Sequence, residues 1–487
     1  MKLSKLLEGI EYTGNTPDAD ITEVTCNSQI AQEGSAFVCI QGTKDDGHMH
    51  VRDALERGAS VVVCARDTGV ENQVVVKDTR EAYAVMCANL NGNPARKLKL
   101  IGVTGTNGKT TITYLLKHIL QEAGYRVGVI GTIHNEIGDI VLPAKHTTPD
   151  PAQLHVLFSR MLKAGCQYVV MEASSHALDQ ERLTGCRFEA GIFTNLTQDH
   201  LDYHGTMENY FAAKKKLFDM SRIAVVNLDD PYGRRIADEY RGRCRVYTFS
   251  ITDDQADFTA KDIRSHAGGS RFSLLHAGGL ERIRFCMPGD FSVSNATAAA
   301  GCGAALGIPM EKVAAGLCSC EGVRGRTEVL PTNTDYTVIC DYAHSPDGLL
   351  KVITTFRQFA KGRVVTLFGC AGNRDRTKRA KMADIVAENS DFVILTSDNP
   401  RDEDPMQIIG DAMPGLEKHK TPCKILPDRF EAIEWALENS RKDDILILAG
   451  KGHEDYQVLN YGTIYFDEHR IVLDLLNRMR QKEKPSG

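Results

Sequence analysis

The stretch "IGVTGTNGKTTITYLL", residues 101–116, decides the fold. An apolar run meets a glycine-rich turn. Lys109 and Thr110 follow, and then Ile112, Leu115, Leu116, Ile119 and Leu120 recur at helical spacing up to Gly124. Strand, glycine turn, Lys-Thr and helix in that order describe a phosphate-binding loop. Its glycines let backbone N–H groups approach phosphate oxygens, and the helix presents its positive end to them. The commoner spacing would put a glycine at position 103, where this chain has Val103; its glycines are Gly102, Gly105 and Gly108. Lys109 is placed to bridge the β- and γ-phosphates of a nucleotide, and the Thr110 hydroxyl to bind Mg²⁺. A glycine turn with a solvated lysine is the competing reading, and the four features together argue against it.

The same rhythm extends on both sides. Residues 1–98 alternate short apolar runs ("AFVCIQG", "ASVVVCA") with helix-like stretches, which reads as a small α/β unit. Residues 99–325 add "YRVGVIGT", "QYVVMEASS", "EAGIFTNLTQDH" and "IAVVNLDDP", each an apolar run ending in polar residues. Such alternation with helical patterns predicts a mostly parallel, doubly wound sheet. Residues 326–487 repeat it in "VVTLFGCAGNRD", "DFVILTSDNPR" and "DILILAGKGHED". Ligands of open α/β sheets bind outside the carboxyl ends of the strands, so this segment carries a site of its own. The expected architecture is α/β in three domains. The tail "RQKEKPSG" is expected to fray.

The bulk properties are those of a globular protein. The chain has 487 residues, 42% hydrophobic and 25% charged, with net charge −6. That balance argues against a nucleic-acid binder, which shows a basic stripe. No apolar run approaches the roughly 20 residues of a membrane helix. The N-terminal stretch lacks a signal-peptide pattern, so a cytoplasmic, monomeric protein without a membrane partner is expected. The 14 cysteines form no CxxC pair, which predicts reduced thiols and no zinc site.

Further motifs carry a resemblance. They are "HTTPD" (146–150), "MEASSHALDQER" (171–182), "NLTQDHLDYHG" (195–205), "AAKKKLF" (212–218), "SNATAA" (294–299), "GRTE" (325–328) and "DYAHSPD" (341–347). With "GTNGKT" they resemble the Mur ligase family, to which the folylpolyglutamate synthetases are related. The pattern is most similar to members that add a diamino acid to UDP-N-acetylmuramoyl-L-alanyl-D-glutamate. The resemblance implies a UDP-binding N-terminal domain (1–98), a central phosphate-loop ATPase domain (99–325) and a C-terminal, Rossmann-like, amino-acid-binding domain (326–487). It implies that ATP converts a carboxylate to an acyl phosphate, which an amine then captures.

The site residues follow from that resemblance. ATP is expected on Gly105, Thr106, Asn107, Gly108, Lys109, Thr110 and Thr111, with Asn295, Arg326 and Asp341 toward adenine and ribose. Mg²⁺ is expected on Thr110, Glu172 and His200; Asp199 and Asp202 are weaker candidates. The family's carbamylated lysine, whose carbamate oxygen is a further Mg²⁺ ligand held directly or indirectly, matches Lys214, although a triple-lysine run by itself reads as a solvated helix face. Lys109, Glu172, His200 and Lys214 form the expected catalytic set. Ser28, Thr43 and Lys44 match the UDP end. Thr147, Thr148, Ser174, Gln180 and Arg182 match the muramoyl-dipeptide end, where His146 replaces the family's usual asparagine. Arg374, Asp398, Asn399, Pro400, Arg401, Gly450 and Glu454 are expected to hold meso-diaminopimelate. Arginine suits its distal carboxylate and Glu454 its distal ammonium.

Rival readings are an L-lysine-adding ligase, a folylpolyglutamate-synthetase-like ligase, a phosphate-loop switch or motor, and a non-catalytic ATP-binding scaffold. The DNPR arginine speaks against lysine, because it would be left with an unpaired buried charge. No guanine-reading NKxD occurs.

Overall fold

The computed structural model describes residues 1–14, 19–42 and 45–483. Thr43 and Lys44 lie outside the described residues.

Three sheets succeed one another along the chain. The first has five strands. Glu23–Thr25, Ser35–Val38, Val61–Cys64 and Gln73–Val76 run parallel, and Tyr12–Gly14 closes one edge antiparallel. The second has eleven strands around the loop strand Lys99–Thr104. That strand lies between Tyr168–Glu172 and Phe188–Phe193, parallel to both. From Leu100 on it is buried on both faces: Ile101 and Val103 feed one apolar core, Leu100 the other. Two-sided burial is why parallel strands read as continuous apolar runs. It also explains Val103, which is a core residue of the strand and pairs with Glu172 in register. The loop's glycines begin two residues later, at Gly105, directly after the strand's last residue. Gly105 and Gly108 have φ of 144° and 87°, and a Cβ on Gly108 would stand 2.4 Å from Asn295 Oδ1.

Helix Lys109–Glu122 follows at once and buries Ile112, Leu115, Leu116, Ile119 and Leu120 against the sheet. Gly124, at φ 86°, ends it as the sequence pattern predicts.

The third sheet has six strands. Thr337–Asp341, Ile445–Ala449, Val364–Cys370, Phe392–Ser397 and Cys423–Ile425 are parallel, with Glu328–Val329 antiparallel at one edge. A hairpin, Tyr456–Leu459 with Gly462–Tyr465, stands apart from it.

Two features depart from the sequence reading. Phe258–His266, Gly269–His276 and Gly279–Phe285 form an antiparallel meander on the central sheet. Its strands bury one face only, so they lack the continuous apolar runs used above. The tail is not frayed throughout: helix Glu468–Glu483 includes its first four residues. All 14 cysteines are unpaired. Among the described residues, no helix is long and apolar enough to cross a membrane.

Candidate functional site

The loop strand, its parallel neighbours and the third sheet deliver their carboxyl ends to one cleft of about 330 Å³. Thr106, Asn107, Gly108, Lys109, Thr110 and Thr111 line it from the loop; Glu172, His200 and Asn295 line it from the rest of the central unit. Arg326 and Asp341 line it from the C-terminal side.

Two lysines hold the loop, one from within it and one from a distant helix. Lys109 Nζ donates to the carbonyls of Gly105 (2.9 Å) and Thr106 (2.8 Å). Lys214, on helix Met207–Asp219, donates from below to the same Gly105 carbonyl at 2.8 Å. Lys214 is 1% exposed, so the run "KKK" is not a uniformly solvated face. Burial, with Lys109 close by, pushes its amine well below the ordinary lysine value. Burial likewise lowers Lys109.

Thr110 donates its hydroxyl to Glu172 Oε1 at 3.0 Å and accepts from Arg326 Nη2 at 2.9 Å. Thr132 donates to both Glu172 oxygens, through N at 2.8 Å and Oγ1 at 3.0 Å. The result is a buried pair of hard oxygen donors beside the loop, a fit for Mg²⁺. His200 sits in the left-handed region at φ 53°, and burial pushes its ring below the ordinary histidine value against the pull of Asp199. Its nitrogen is a softer donor, and Lys214 offers an oxygen only once carbamylated.

Asp341 lines the cleft and is also held by the backbone. Its two oxygens accept the backbone N–H groups of Thr327 (2.6 Å) and Ala343 (2.7 Å), so it fastens the first strands of the C-terminal unit to each other. Burial raises its carboxyl above the usual range. One contact that the motifs do not announce joins the loop to the C-terminal unit: Asn107 Nδ2 donates to Asp347 at 2.8 Å, and Lys351, one turn further along the same helix as Asp347, donates to that carboxylate at 2.8 Å.

A second cavity, about 350 Å³, lies between the first two units and is lined by Gly42, Arg80, His146, Gln180 and Arg182. Arg182 is already engaged there. It donates to Gln180 Oε1 at 2.7 and 3.2 Å and to the Thr148 carbonyl at 2.9 Å. Thr148 in turn donates to the Glu172 carbonyl at 2.7 Å and meets the Ser174 hydroxyl at 3.2 Å, and Thr147 meets the Thr132 hydroxyl at 3.1 Å. Ser28 begins a short 3₁₀ turn and does not line this cavity. Arg80 is a cation at the cavity that the sequence reading missed.

A third cavity, about 130 Å³, opens beside the loop cleft and shares Asp199, His200, Tyr342, His344 and Arg374 with it. Asp398, Asn399, Arg401, Gly450 and Glu454 line the rest. Arg401 has φ 54°; its N–H is held by the Val458 carbonyl at 3.0 Å and its Nη1 donates to the Gly372 carbonyl at 2.8 Å. Pro400 contributes its carbonyl, which packs under Gly372. Gly450, at φ 113°, lies against Asp398.

Comparison with known proteins matches these regions one by one. Residues 103–303 match the Mur ligase middle domain, 325–452 the Mur ligase glutamate ligase domain, and 20–94 the Mur ligase family catalytic domain. The chain belongs to the Mur ligase family. This Mur ligase is 44% identical to the UDP-N-acetylmuramoyl-L-alanyl-D-glutamate--2,6-diaminopimelate ligase of Clostridium perfringens, over 98% of this chain and 99% of that protein. It is 43% identical to the ligase of the same name from Gloeobacter violaceus, over 99% of each. A solved structure of a ligase of that name is similar at TM-score 0.71 and 32% identity, covering 99% of each chain. The MurF ligase of Thermotoga maritima in complex with ADP shares the fold at TM-score 0.62 and 18% identity, over 94% of this chain and 98% of that one.

Proposed function

We propose that this Mur ligase uses ATP to join an amine of meso-diaminopimelate to the D-glutamyl carboxylate of UDP-N-acetylmuramoyl-L-alanyl-D-glutamate. The observation that carries the reading is the juxtaposition of two cavities. The one lined by Arg401 and Glu454 opens onto the cleft of the phosphate loop through shared walls at His200 and Arg374. The full-length likeness to named diaminopimelate ligases supports it. We also propose the domain limits 1–98, 99–325 and 326–487 for the UDP-binding, ATPase and amino-acid-binding units.

The chemistry is activation followed by capture. A carboxylate oxygen of the dipeptide attacks the γ-phosphorus of ATP, and ADP leaves. The incoming amine attacks the acyl carbon of the acyl phosphate, loses a proton and expels phosphate. Lys109 swings from the Gly105 and Thr106 carbonyls to the β- and γ-phosphates, where its charge is stabilising as the phosphoryl group transfers. The backbone N–H groups of residues 105–111 cradle the same phosphates. Thr110 and Glu172 would hold Mg²⁺, with His200 and carbamylated Lys214 holding a second ion. Bound there, Mg²⁺ supplies charge neutralisation for the phosphates. Arg326, hydrogen-bonded to Thr110, ties nucleotide occupancy to the position of the C-terminal unit.

The test is phosphate release from Mg-ATP with the UDP-muramoyl-dipeptide, comparing meso-diaminopimelate with L-lysine. Turnover with diaminopimelate alone is expected. Turnover with lysine alone would overturn the reading of Arg401.

A further inference from the structure

The sequence reading takes Gly450 and Glu454 from "GKGHE" and passes over the lysine between them. Lys451 has no exposed surface. An ammonium has three donors, and all three are used: Asn399 Oδ1 at 2.7 Å, the Tyr456 carbonyl at 2.7 Å and Glu454 Oε2 at 3.0 Å. Asn399 Oδ1 also accepts the Val458 N–H at 2.9 Å, which fixes the amide so that its Nδ2 donates to Glu454 Oε2 at 3.0 Å. One oxygen of Glu454 therefore faces two donors. Among the described residues, the other, Oε1, meets only the Tyr342 and Tyr456 hydroxyls, at 3.5 and 3.4 Å. Distances that long mark weak contacts that a charged donor displaces.

We propose that Lys451 is a positioning residue for the amino-acid cavity: it binds one oxygen of Glu454 so that the other is presented to the distal ammonium of the substrate. The inference rests on the reading that a diamino acid occupies this cavity. The physical logic is directional. Lys451 and Asn399 Nδ2 both donate and cannot accept, so whatever stands at the Glu454 Oε2 position must be an acceptor. The lysine also compensates the charge of a buried carboxylate that would otherwise carry a desolvation cost before substrate arrives. It thereby links the DNPR loop (through Asn399) to the GKGHE loop and to the hairpin behind Arg401.

The test compares meso-diaminopimelate with L-2-aminopimelate, which keeps both carboxylates and the reacting amine but lacks the distal ammonium. Steady-state phosphate release gives kcat/KM for each. The wild-type enzyme is expected to prefer the diamino acid by about 10- to 100-fold. Lys451→Met is expected to collapse that preference toward unity through KM for the diamino acid, leaving KM for ATP unchanged. A purely structural role would lower both substrates equally and keep the ratio, which would overturn the proposal. Glu454→Gln tests the same point with Lys451 intact, should the first variant not fold. Its amide must turn its oxygen to Lys451 and its NH₂ to the substrate, so the preference should vanish. A glutamine variant that retains the preference would show that Lys451 does not set the orientation. Absence of wild-type turnover with meso-diaminopimelate would instead overturn the functional reading beneath it.

Discussion

Thr110 donates its hydroxyl to Glu172 Oε1 at 3.0 Å, joining the first turn of the loop's helix to the end of the neighbouring strand. The pair is buried, with Thr110 at 4% and Glu172 at 1% exposure. Glu172→Gln keeps the shape and an oxygen for Thr132 and Thr110 but removes the charge. The expected result is a fall in kcat of about 10²-fold or more, with little change in thermal midpoint. Phosphate release measured against Mg²⁺ concentration checks it. A variant as active as wild type, with the same Mg²⁺ dependence, would make Glu172 structural.

Arg401 occupies a left-handed backbone position, φ 54°, secured by the Val458 carbonyl. Asparagine tolerates that conformation better than most residues, so Arg401→Asn isolates the guanidinium. Loss of the partner of a substrate carboxylate should lower kcat/KM for meso-diaminopimelate by about 10²-fold or more. L-lysine, which brings no distal carboxylate, should be used no worse than before. Competition of the two amino acids in one assay reads the ratio. An unchanged ratio would remove Arg401 from the specificity determinants.

The parts of this molecule that could be read in its sequence are those whose elements are adjacent in the chain. Strand, loop, Lys109 and helix follow one another without interruption, so their geometry is local. The strand-end loops 372–376, 398–401 and 450–454 belong to the same class, because each follows directly from a buried apolar run. What depends on distant pairing was not readable from pattern. Lys214 is one of three consecutive lysines, and only the packing of its helix beneath Gly105 separates it from Lys215 and Lys216. Lys451 acquires its role from Asn399, 52 residues earlier. The engagement of Arg182 by Gln180 and Thr148, and of Asp341 by two backbone N–H groups, likewise appears only once the chain is folded.

His155 has no exposed surface, and among the described residues neither of its ring nitrogens has a hydrogen-bond partner. Burial pushes its pKa down to about 4 from an ordinary 6.5. The folded state therefore binds its proton less tightly than the unfolded state does. Its stability contribution is complete above about pH 6.5 and is lost as pH falls toward 4, by about 3 kcal/mol at most. His155→Leu removes both the titration and the unpaired nitrogens. Thermal unfolding midpoints across that window should flatten in the variant relative to wild type, with the gain growing as pH falls. Parallel curves would show that other groups govern the acid limb.

Arg429 and Glu468 form an ion pair, Nε to Oε1 at 2.7 Å, with both side chains fully buried. The other guanidinium nitrogens donate to the carbonyls of Ser397 (3.2 Å) and Ala449 (2.8 Å), the last residues of the strands that lead into DNPR and GKGHE. Removing only the arginine leaves Glu468 charged in an apolar setting, where its Oε2 already lacks a partner among the described residues. Arg429→Met should thus cost about 3–5 kcal/mol. Because it frees two strand ends, it should also raise KM for the amino acid while KM for ATP stays near wild type. The double variant Arg429→Met/Glu468→Leu replaces the pair with apolar volume and should recover most of the stability, since a buried ion pair is often no better than its hydrophobic substitute. Its KM should remain raised, because the two carbonyls still lack their donor. Chemical denaturation and steady-state kinetics on the three variants, with Glu468→Leu completing the cycle, separate the two effects. A double variant that regained the wild-type KM would confine this pair to stability and remove it from the alignment of the binding loops.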